Sequence, residues 1–349
     1  MRNLLSFSIS SLLLWLITGS LSAQKLTGVV FDRENQIPVS NAHVFLDGSS
    51  LHDVTNVEGR FEISVQQVVD LPLVISHISY HTKVISNAFS SLPDTIFVDE
   101  KDVMLGEITV QAGRYSRKQL FNAFRSEFLG VASGGKSCII EEESKIDLWY
   151  DTRTNTLSAS CEEPILIRNR YLGYKVYLRL DKFEAEYTSR RLGVGEPVVT
   201  LLYSAFFEDI ALSNNSIEKR RRFIFEGSNR HFLLALANNQ LQDAGYLLYH
   251  DGNKFAASFA ECFSVTDTLD QKKVRVDDRL RARDRAIYDG LPYFGRLRVQ
   301  RNANNTELIF YKNTFYINNL GNLTQPEDIL FKGYMGGLRI GDLLPADYK

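Results

Sequence analysis

The chain has 349 residues, of which 44% are hydrophobic and 23% are charged, and its formal net charge is -2. This length and composition suffice for two domains with hydrophobic cores, so extensive disorder is not expected. The sequence pI of about 6.3 excludes a global basic field of the kind that recruits nucleic acid or an anionic membrane. We therefore expect no nucleic-acid partner.

Residues 1–23 have the pattern of a secretory signal peptide. Arg2 precedes an apolar run from Leu12 to Ile17, and small residues continue to Ala23. The run is shorter than the roughly 20 residues that a membrane-spanning helix needs, which favours cleavage after Ala23 over an uncleaved membrane anchor. We therefore expect an exported protein that begins at Gln24 and has no transmembrane span after signal removal.

Residues 24–99 are predicted to form an all-β sandwich. Short strand patterns of period two recur there, separated by turn signals of Gly, Asn, Asp and Pro. In RFEISV, Phe61, Ile63 and Val65 alternate with polar residues, as in a strand that is buried on one side. Gly59 precedes this strand at a turn that favours glycine. The region shows no convincing helix pattern.

Four stretches of this region resemble a known domain family: GVVFD from Gly28, IPVSNAHVFLDG from Ile37, TNVEGRF from Thr55 and ISHISY from Ile75. They resemble the carboxypeptidase-like regulatory domain, a transthyretin-like β-sandwich. That domain is similar to the N-terminal extension of many TonB-dependent outer-membrane transporters of Gram-negative envelopes. The resemblance implies a seven-stranded sandwich in a cell-envelope protein, although Ser79 stands where the family usually has glycine.

The resemblance does not imply a zinc carboxypeptidase. Such an enzyme needs an HxxE pair and a distant histidine, and none of the six histidines has a glutamate three residues later. His77 and His81 lie too far apart along an extended strand to share an ion. We therefore assign no catalytic, cofactor-binding or metal-binding residue, and we interpret these histidines as structural.

Residues 100–113 are interpreted as a connector that contains a strand-like run, LGEITV. In the resembled transporters a similar segment joins the sandwich to the plug. Here residues 114–349 are too few for the many strands of a large transporter barrel. The connector is therefore either a closing strand or a plain linker, with strand addition to another envelope protein as the alternative.

Residues 114–349 are predicted to form an α+β domain in which strands dominate. A helix is predicted over RKQLFNAFRSEFL, ended by glycines, with one apolar stripe of Leu120, Phe121, Phe124 and Phe128. A hairpin that turns near Arg153 and the alternating stretch YKVYLRLDKFEAEYT indicate antiparallel strands. A second helix is predicted over GSNRHFLLALANNQLQDAGY, from a cap at Ser228 or Asn229 to Gly245.

The same region resembles the C-terminal domain that accompanies the regulatory sandwich in a group of exported Gram-negative proteins. The resemblance is carried by FLGVASGGKSCII, EPILIRNRYLGYKVYLRL, GSNRHFLLALANN and FKGYMGGLRIGDLLPADY. No activity is assigned to that group. The resemblance therefore implies a two-domain architecture and no particular chemistry.

His231 and an acidic run are the candidate site residues of this domain. A histidine beside a helix N-terminus can act as a base, but no motif supplies a nucleophile for His231, so we interpret it as structural. The run Glu141–Ser144 is interpreted as a solvated acidic turn, because neighbouring carboxylates on a strand point to opposite faces and cannot all chelate one ion.

Two basic features are interpreted as solvated, salt-bridged surfaces. One is the run Lys219–Arg222. The other is a row at period two, predicted to line one face of a strand, that consists of Arg279, Arg281, Arg283 and Arg285. The alternative is contact with phosphate or carboxylate groups of lipid headgroups, surface glycan or a partner.

Three cysteines allow at most one intramolecular disulfide: Cys138, Cys161 and Cys262. In the predicted hairpin Cys161 faces the neighbourhood of Lys145, which disfavours a bridge to Cys138. Buried thiols without a disulfide are therefore favoured.

Together these patterns favour an exported, non-enzymatic interaction or scaffold protein of the periplasm or the inner face of the outer membrane. Its expected partner is an outer-membrane or periplasmic protein. One alternative is an envelope hydrolase acting on glycan or peptide, which needs carboxylates about 5 to 10 Å apart in a cleft. A third is a carbohydrate-binding module, but the second of the two tryptophans, Trp149, is the only one outside the signal pattern, so no tryptophan platform is evident.

Overall fold

The structure, a computed structural model, describes residues 24–65, 71–86, 88–101, 114–211, 214–250, 256–268, 271–282, 286–288 and 290–348. The predicted signal peptide, residues 102–113 of the connector, Arg283 and Arg285 lie outside these ranges, and the expectations about them stay predictions. Within the described ranges no helix has the length and apolar character to cross a membrane.

Seven strands and one short helix form the N-terminal sandwich. They are β1 (Gln24–Asp32), β2 (His43–Leu46), β3 (His52–Val54), β4 (Arg60–Val65), β5 (Leu73–His77), β6 (Tyr80–Ile85), α1 (Ala88–Ser91) and β7 (Thr95–Val98). One sheet has the order β4-β1-β7 and the other β3-β2-β5-β6. The predicted seven-stranded sandwich is confirmed. Helix α1 was not predicted, because four residues are too few to show a helical period.

Strand β4 shows the predicted alternation. Phe61, Ile63 and Val65 are buried in the sandwich core, while the residues between them are exposed. Gly59, just before β4, has a φ of +73°, and a Cβ there would lie 2.5 Å from the carbonyl oxygen of Val30. This turn therefore requires glycine for both its conformation and its close approach to β1.

A six-stranded antiparallel sheet with helices on one face follows the sandwich. Its elements are α2 (Arg117–Leu129), α3 (Ser133–Lys136), β8 (Cys138–Ile140), β9 (Asp147–Asp151), β10 (Thr156–Ser160), β11 (Ile165–Asn169), β12 (Tyr174–Glu186) and β13 (Val198–Asp209). Strand β12 pairs with β11 and β10 along one side and with β13 along the other. Strand β13 is therefore an edge strand of this sheet.

Helix α2 covers one face of the sheet, as its apolar stripe predicts. Leu120, Phe124 and Phe128 are buried against the sheet, and Phe121 is half-buried beside them. Ser116 forms a capping box with Gln119 at the start of the helix, and Gly130, with a φ of +89°, ends it. The hairpin of β9 and β10 also turns at the predicted place, around Arg153.

The remaining elements follow the six-stranded sheet, and most of them enclose a separate hydrophobic core that includes α5. They are α4 (Asn215–Phe225), α5 (Asn229–Ala237), β14 (Tyr246–Tyr249), α6 (Phe259–Cys262), β15 (Phe263–Asp267), β16 (Gln271–Val276), β17 (Ile287–Tyr288), β18 (Leu291–Pro292), β19 (Gly295–Arg301), β20 (Asn304–Phe310), β21 (Thr314–Asn318) and β22 (Ile329–Gly333). Short 3-10 turns lie at Glu143–Lys145, Asp278–Leu280, Pro326–Asp328, Met335–Gly337 and Ile340–Asp342. Residues 114–349 thus contain two cores rather than one, and the fold is mainly β with some α, as predicted.

Two local predictions in this part are wrong, and one helix was not predicted. Helix α5 ends at Ala237 and not near Gly245, because Asn239 adopts a left-handed φ of +56°. Helix α4 was not predicted, since its run of charged residues hides the apolar spacing. The residues around Arg279 form a 3-10 turn capped by Asp277 and not a strand, so they present no cationic strand face.

The three cysteines carry no disulfide, as predicted. The Cys161 sulfur lies 3.5 Å from the carbonyl oxygen of Lys145, the neighbourhood that the hairpin register implied. Cys138 and Cys262 are buried, and burial raises the pKa of each thiol to about 12. These two thiols are therefore packing residues with little thiolate character.

Candidate functional site

The sandwich joins the six-stranded sheet along the outer edge of β13. The amide of Gly48 donates to the carbonyl of Ala205 at 2.7 Å, and the amide of Phe207 donates to the carbonyl of Ser49 at 2.9 Å. The carboxylate of Asp47 accepts the amide of Ala205 at 2.9 Å. The turn after β2 therefore pairs with the second half of β13 as a short added strand.

Phe206 anchors this junction through aromatic contacts. Its side chain is buried, its ring stacks on Tyr177 at 4.5 Å, and it lies 4.5 Å from the ring of His52 and 5.0 Å from that of Phe45. Aromatic pairs at these distances stabilise by more than their buried area alone. The junction is therefore a packed interface within one chain.

The C-terminal segment closes the junction from the other side. The amide of Ala346 donates to the carbonyl of Gly48 at 2.7 Å, and the amide of Ser50 donates to the carboxylate of Asp347 at 2.8 Å. Ala346 also packs into the sandwich core. The last residues of the chain therefore hold the sandwich in place.

Arg230 of helix α5 ties the same segment to the third part of the fold. Its guanidinium donates to the carbonyl oxygens of Leu320 and Pro345, both at 2.7 Å, and to that of Tyr348. Burial lowers the pKa of Arg230 to about 10. With these bonds the sandwich, the six-stranded sheet and the α5 core form one connected body.

A cleft of about 490 Å³ lies where the three parts meet. Its mostly apolar lining includes two carboxyl groups, Asp47 and Asp342, and burial raises the pKa of both. Asp47 is held by the β13 backbone. Oδ1 of Asp342 packs closely against Gly134 and is buried with no hydrogen-bond partner among the described residues. Asp47 is therefore engaged in a structural contact, while Asp342 is a buried carboxyl group whose pKa is raised.

The first half of β13 has an open backbone edge. Among the described residues, 198–203 pair only with β12, and we refer to this stretch as the open edge segment. The amides of Ala205 and Phe207 point away from β12 towards the sandwich turn. Because backbone direction alternates along a strand, the amides of Val199, Leu201 and Tyr203 point the same way.

The open edge segment is also apolar. Val198 and Leu202 are 59% and 56% exposed, and the sequence VVTLLY carries no charged residue. An apolar unpaired edge is a template for another strand, which proteins otherwise block with charges, bulges or a cover. The segment continues the edge that the sandwich turn already uses.

His231 has partners within the fold. Its Nδ1 lies 2.8 Å from the Tyr246 hydroxyl and accepts the amide of Gly227 at 3.2 Å. Its ring also contacts Phe225. Burial lowers the pKa of His231, which keeps the ring neutral as an acceptor.

The acidic and histidine candidates of the sequence do not converge on a metal site. Glu141 pairs with Arg168 at 2.7 Å and Glu142 with Lys145 at 3.1 Å, so the run is a solvated turn as predicted. His77 accepts the amide of Ser79 at 3.1 Å. In the ranges that the structure covers, no three His, Cys, Asp or Glu side chains are grouped to hold an ion.

The prediction of a solvated, salt-bridged surface holds for Arg279 and Arg281 but not for the whole of the run Lys219–Arg222. Arg279 and Arg281 are exposed and pair with Asp277 at 3.6 Å and Asp278 at 4.0 Å, as a solvated surface should. In the run Lys219–Arg222 the surface interpretation is wrong for Arg221, which is 4% exposed. Glu218 is one of its two carboxylate partners, and the other, Asp209, lies 12 residues earlier in the chain and outside the basic run.

Acidification is expected to destabilise the junction through His43. The ring of His43 lies 5.5 Å from Phe206, and its Nδ1 is buried with no partner among the described residues. Burial, with a smaller effect of His52, holds the pKa of His43 below its ordinary value of 6.5. Below pH 6.5 the His43 ring binds a proton more readily in the unfolded chain than in the native protein. The free energy of unfolding therefore falls as the pH drops from 6.5 towards the native pKa.

We expect His43→Gln to weaken the dependence of the unfolding free energy on pH between about pH 7 and pH 5. Urea titrations of both proteins across this range measure it. His81→Gln, which changes an exposed histidine of the same sandwich, is the control. Equal pH dependence in the parent and His43→Gln proteins would contradict this role.

The comparisons with known proteins identify the N-terminal module. Residues 26–110 match the family model of the CarboxypepD_reg-like domain, which confirms the resemblance drawn from the sequence and places a carboxypeptidase-like regulatory domain at the front of the chain. The match also extends into the connector. A comparison with curated proteins found no match.

Among solved structures, the chain is similar to the crystal structure of a 9R-lipoxygenase from Cyanothece PCC8801. The identity is 12%, the TM-score is 0.17, and the match covers 66% of this chain and 49% of the lipoxygenase chain. The chain thus spans about half of that structure. A likeness this weak carries no argument about fold or chemistry.

Proposed function

We propose that the protein is an exported cell-envelope protein that acts as a non-enzymatic interaction scaffold in the periplasm or at the inner face of the outer membrane. The signal-peptide pattern of residues 1–23 supports export. The carboxypeptidase-like regulatory domain supports an accessory role beside other envelope proteins. The observation that carries the proposal is the open edge segment, residues 198–203, beside the docked sandwich.

The proposed binding mode is β-strand addition. An extended segment of an envelope protein pairs with the outward amides and carbonyls of Val199, Leu201 and Tyr203, in line with the turn that already pairs with Ala205. Main-chain hydrogen bonds supply affinity. The exposed side chains of Val198 and Leu202 contact apolar residues at alternate positions of the partner, which supplies selectivity.

The hydrolase alternative has less support. It needs two carboxyl groups that converge on a substrate, whereas Asp47, one of the two in the central cleft, already accepts the amide of Ala205 and forms part of the junction. Among the described residues the interaction role is therefore the function that the geometry favours.

Strand addition is tested by comparing partner capture by two variants, Val199→Pro and its control Val199→Ala. Proline at this position removes an amide that points away from β12 and leaves the ladder with β12 intact, whereas alanine removes only side-chain packing. Tagged protein carrying either change is used to capture proteins from solubilised envelopes, followed by quantitative mass spectrometry. We expect at least about tenfold less of a specific partner with proline than with alanine, equivalent to ~1.4 kcal/mol of binding free energy. Equal recovery, with equal thermal stability of both variants, would count against the open edge segment as the binding site.

A further inference from the structure

The face of the six-stranded sheet opposite helix α2 carries two cross-strand rows in which most residues are polar. One row consists of Trp149, Ser158, Glu184 and Thr200, and the next of Asp151, Thr156, Glu186 and Val198. Side chains alternate along a strand, and the neighbouring row, which includes Leu157 and Ala185, is buried in the core below α2. The two polar rows therefore point away from that core, and we refer to them as the Trp149 face.

Trp149 is the most unusual residue of this face. It is 50% exposed, although tryptophan is highly buried on average. It lies on the edge strand β9, directly beside Ser158 of β10. An exposed planar ring next to hydrogen-bonding groups can stack against the apolar face of a ligand while those groups bind the ligand's polar edge.

The polar side chains of the face supply both donors and acceptors. Among the described residues, the hydroxyls of Ser158 and Thr200 and the carboxylate of Glu186 have no side-chain hydrogen bond or ion pair. Glu184 between them pairs with Lys182 at 3.0 Å, where both side chains are 44% exposed. Carboxylates accept hydrogen bonds only, and hydroxyls can also donate. The set suits a ligand with several hydroxyl groups.

The charge of the Trp149 face distinguishes between neutral, anionic and cationic ligands. Its carboxylates outnumber its cations, with Lys182 and Arg153 beside Asp147, Asp151, Glu184 and Glu186. An excess of negative charge disfavours polymers that carry phosphate or sulfate. The two cations each pair with one of the carboxylates, which reduces the attraction for a basic peptide. A neutral ligand is therefore favoured over either charged class.

We propose that the Trp149 face binds a neutral glycan. A sugar ring stacks on Trp149, its hydroxyls donate to the carboxylates of Glu184 and Glu186, and Ser158 and Thr200 complete the hydrogen bonds. Strands β9 to β13 span three inter-strand spacings, roughly 14 Å in all, which is room for an oligosaccharide. Val198 and Thr200 belong to both sites. Strand addition uses the backbone edge of β13, which Trp149→Ala and Thr200→Val leave unchanged, so either proposal can fail alone.

The test uses Trp149 as its own reporter. The chain has two tryptophans, Trp15 and Trp149, so the full chain with Trp15→Phe reports fluorescence from Trp149 alone. Titration with cellohexaose, maltohexaose, mannohexaose and chitohexaose is expected to give a saturable blue shift or quench with at least one of them. Oligolysine and polyphosphate serve as charged comparisons.

Calorimetry with the hexasaccharide that binds then assigns the residues. We expect Trp149→Ala to weaken binding by at least about tenfold and Thr200→Val, which removes one hydroxyl at nearly constant volume, to weaken it several-fold. Ile287→Ala, on an exposed strand elsewhere, should leave it unchanged. A response to oligolysine or polyphosphate alone, no saturable response to any hexasaccharide up to millimolar concentration, or unchanged binding in Trp149→Ala would each overturn the proposal.

Discussion

Replacing Arg221 by alanine is expected to lower the free energy of unfolding by about 2–3 kcal/mol, because a buried guanidinium loses several charge-assisted hydrogen bonds. The guanidinium makes two bonds to Asp209, at 2.8 and 2.9 Å, and one to Glu218 at 2.7 Å. It also donates to the carbonyl of Leu172 at 2.8 Å and lies 3.9 Å from the Tyr174 ring centre. Alanine leaves the carbonyl of Leu172 and the partly exposed carboxylates of Asp209 and Glu218 without their donor.

Urea unfolding measures this loss. Arg222→Ala, on the exposed side of the same helix α4, is the matched control and should change stability by less than about 0.5 kcal/mol. Arg221→Lys keeps the charge but loses the bidentate contact with Asp209. Its free energy of unfolding should therefore lie between those of Arg221→Ala and Arg222→Ala. An Arg221→Ala protein as stable as Arg222→Ala would show that the buried arginine does not hold α4 to the sheet.

Replacing Phe206 by alanine is expected to destabilise the junction by about 3–5 kcal/mol, as for other buried phenylalanines. The change empties the space between the sandwich rings and Tyr177 while the backbone bonds of Gly48 and Ser49 to β13 remain possible. Because Phe206 is the ring that β13 contributes to this aromatic cluster, the sandwich should detach before the rest of the protein unfolds. Calorimetry should then resolve a separate, earlier transition for the sandwich.

Phe223→Ala is the control for this prediction. Phe223 is 66% exposed on helix α4. The variant therefore measures the effect of losing a phenylalanine side chain that makes no contact in the junction's aromatic cluster. Limited proteolysis should cut between the sandwich and the remainder faster in Phe206→Ala than in the control. A single transition at the parent temperature in Phe206→Ala would mean that the sandwich is held by its backbone bonds and not by the aromatic contact.

Local patterns in the sequence were sufficient for much of the fold. The alternation in RFEISV predicts β4, and the stripe that includes Phe124 and Phe128 predicts α2, because in each case one face is buried by neighbouring elements. Helix α4 was not predicted, because the residues that bury Arg221 lie elsewhere in the chain. They are Asp209 on β13 and Leu172, just before β12. A run of basic residues gives no local sign of such partners.

The junction and the two surfaces could not be predicted for a related reason. The bond between Gly48 and Ala205 joins residues far apart in the chain, and period-two patterns do not say which strand is an edge strand. Leu148, Trp149 and Tyr150 are consecutive apolar residues, so alternation leaves it open which of them faces solvent. Only the register with β10 and the position of α2 assign Trp149 to the open face.

Site-specific cross-linking in intact envelopes tests the interaction role most directly. Leu202→Cys places a thiol within the open edge segment, in a Cys161→Ser background that removes the one half-buried native thiol. A maleimide-benzophenone label makes the new thiol photoreactive. Leu247→Cys, on an edge strand of another sheet and 46% exposed, is the matched control. We predict that the label at 202, and not at 247, captures one recurring envelope protein, and that Val199→Pro abolishes the capture. Equal capture from both positions, or none from 202, would contradict an interaction scaffold that works by strand addition.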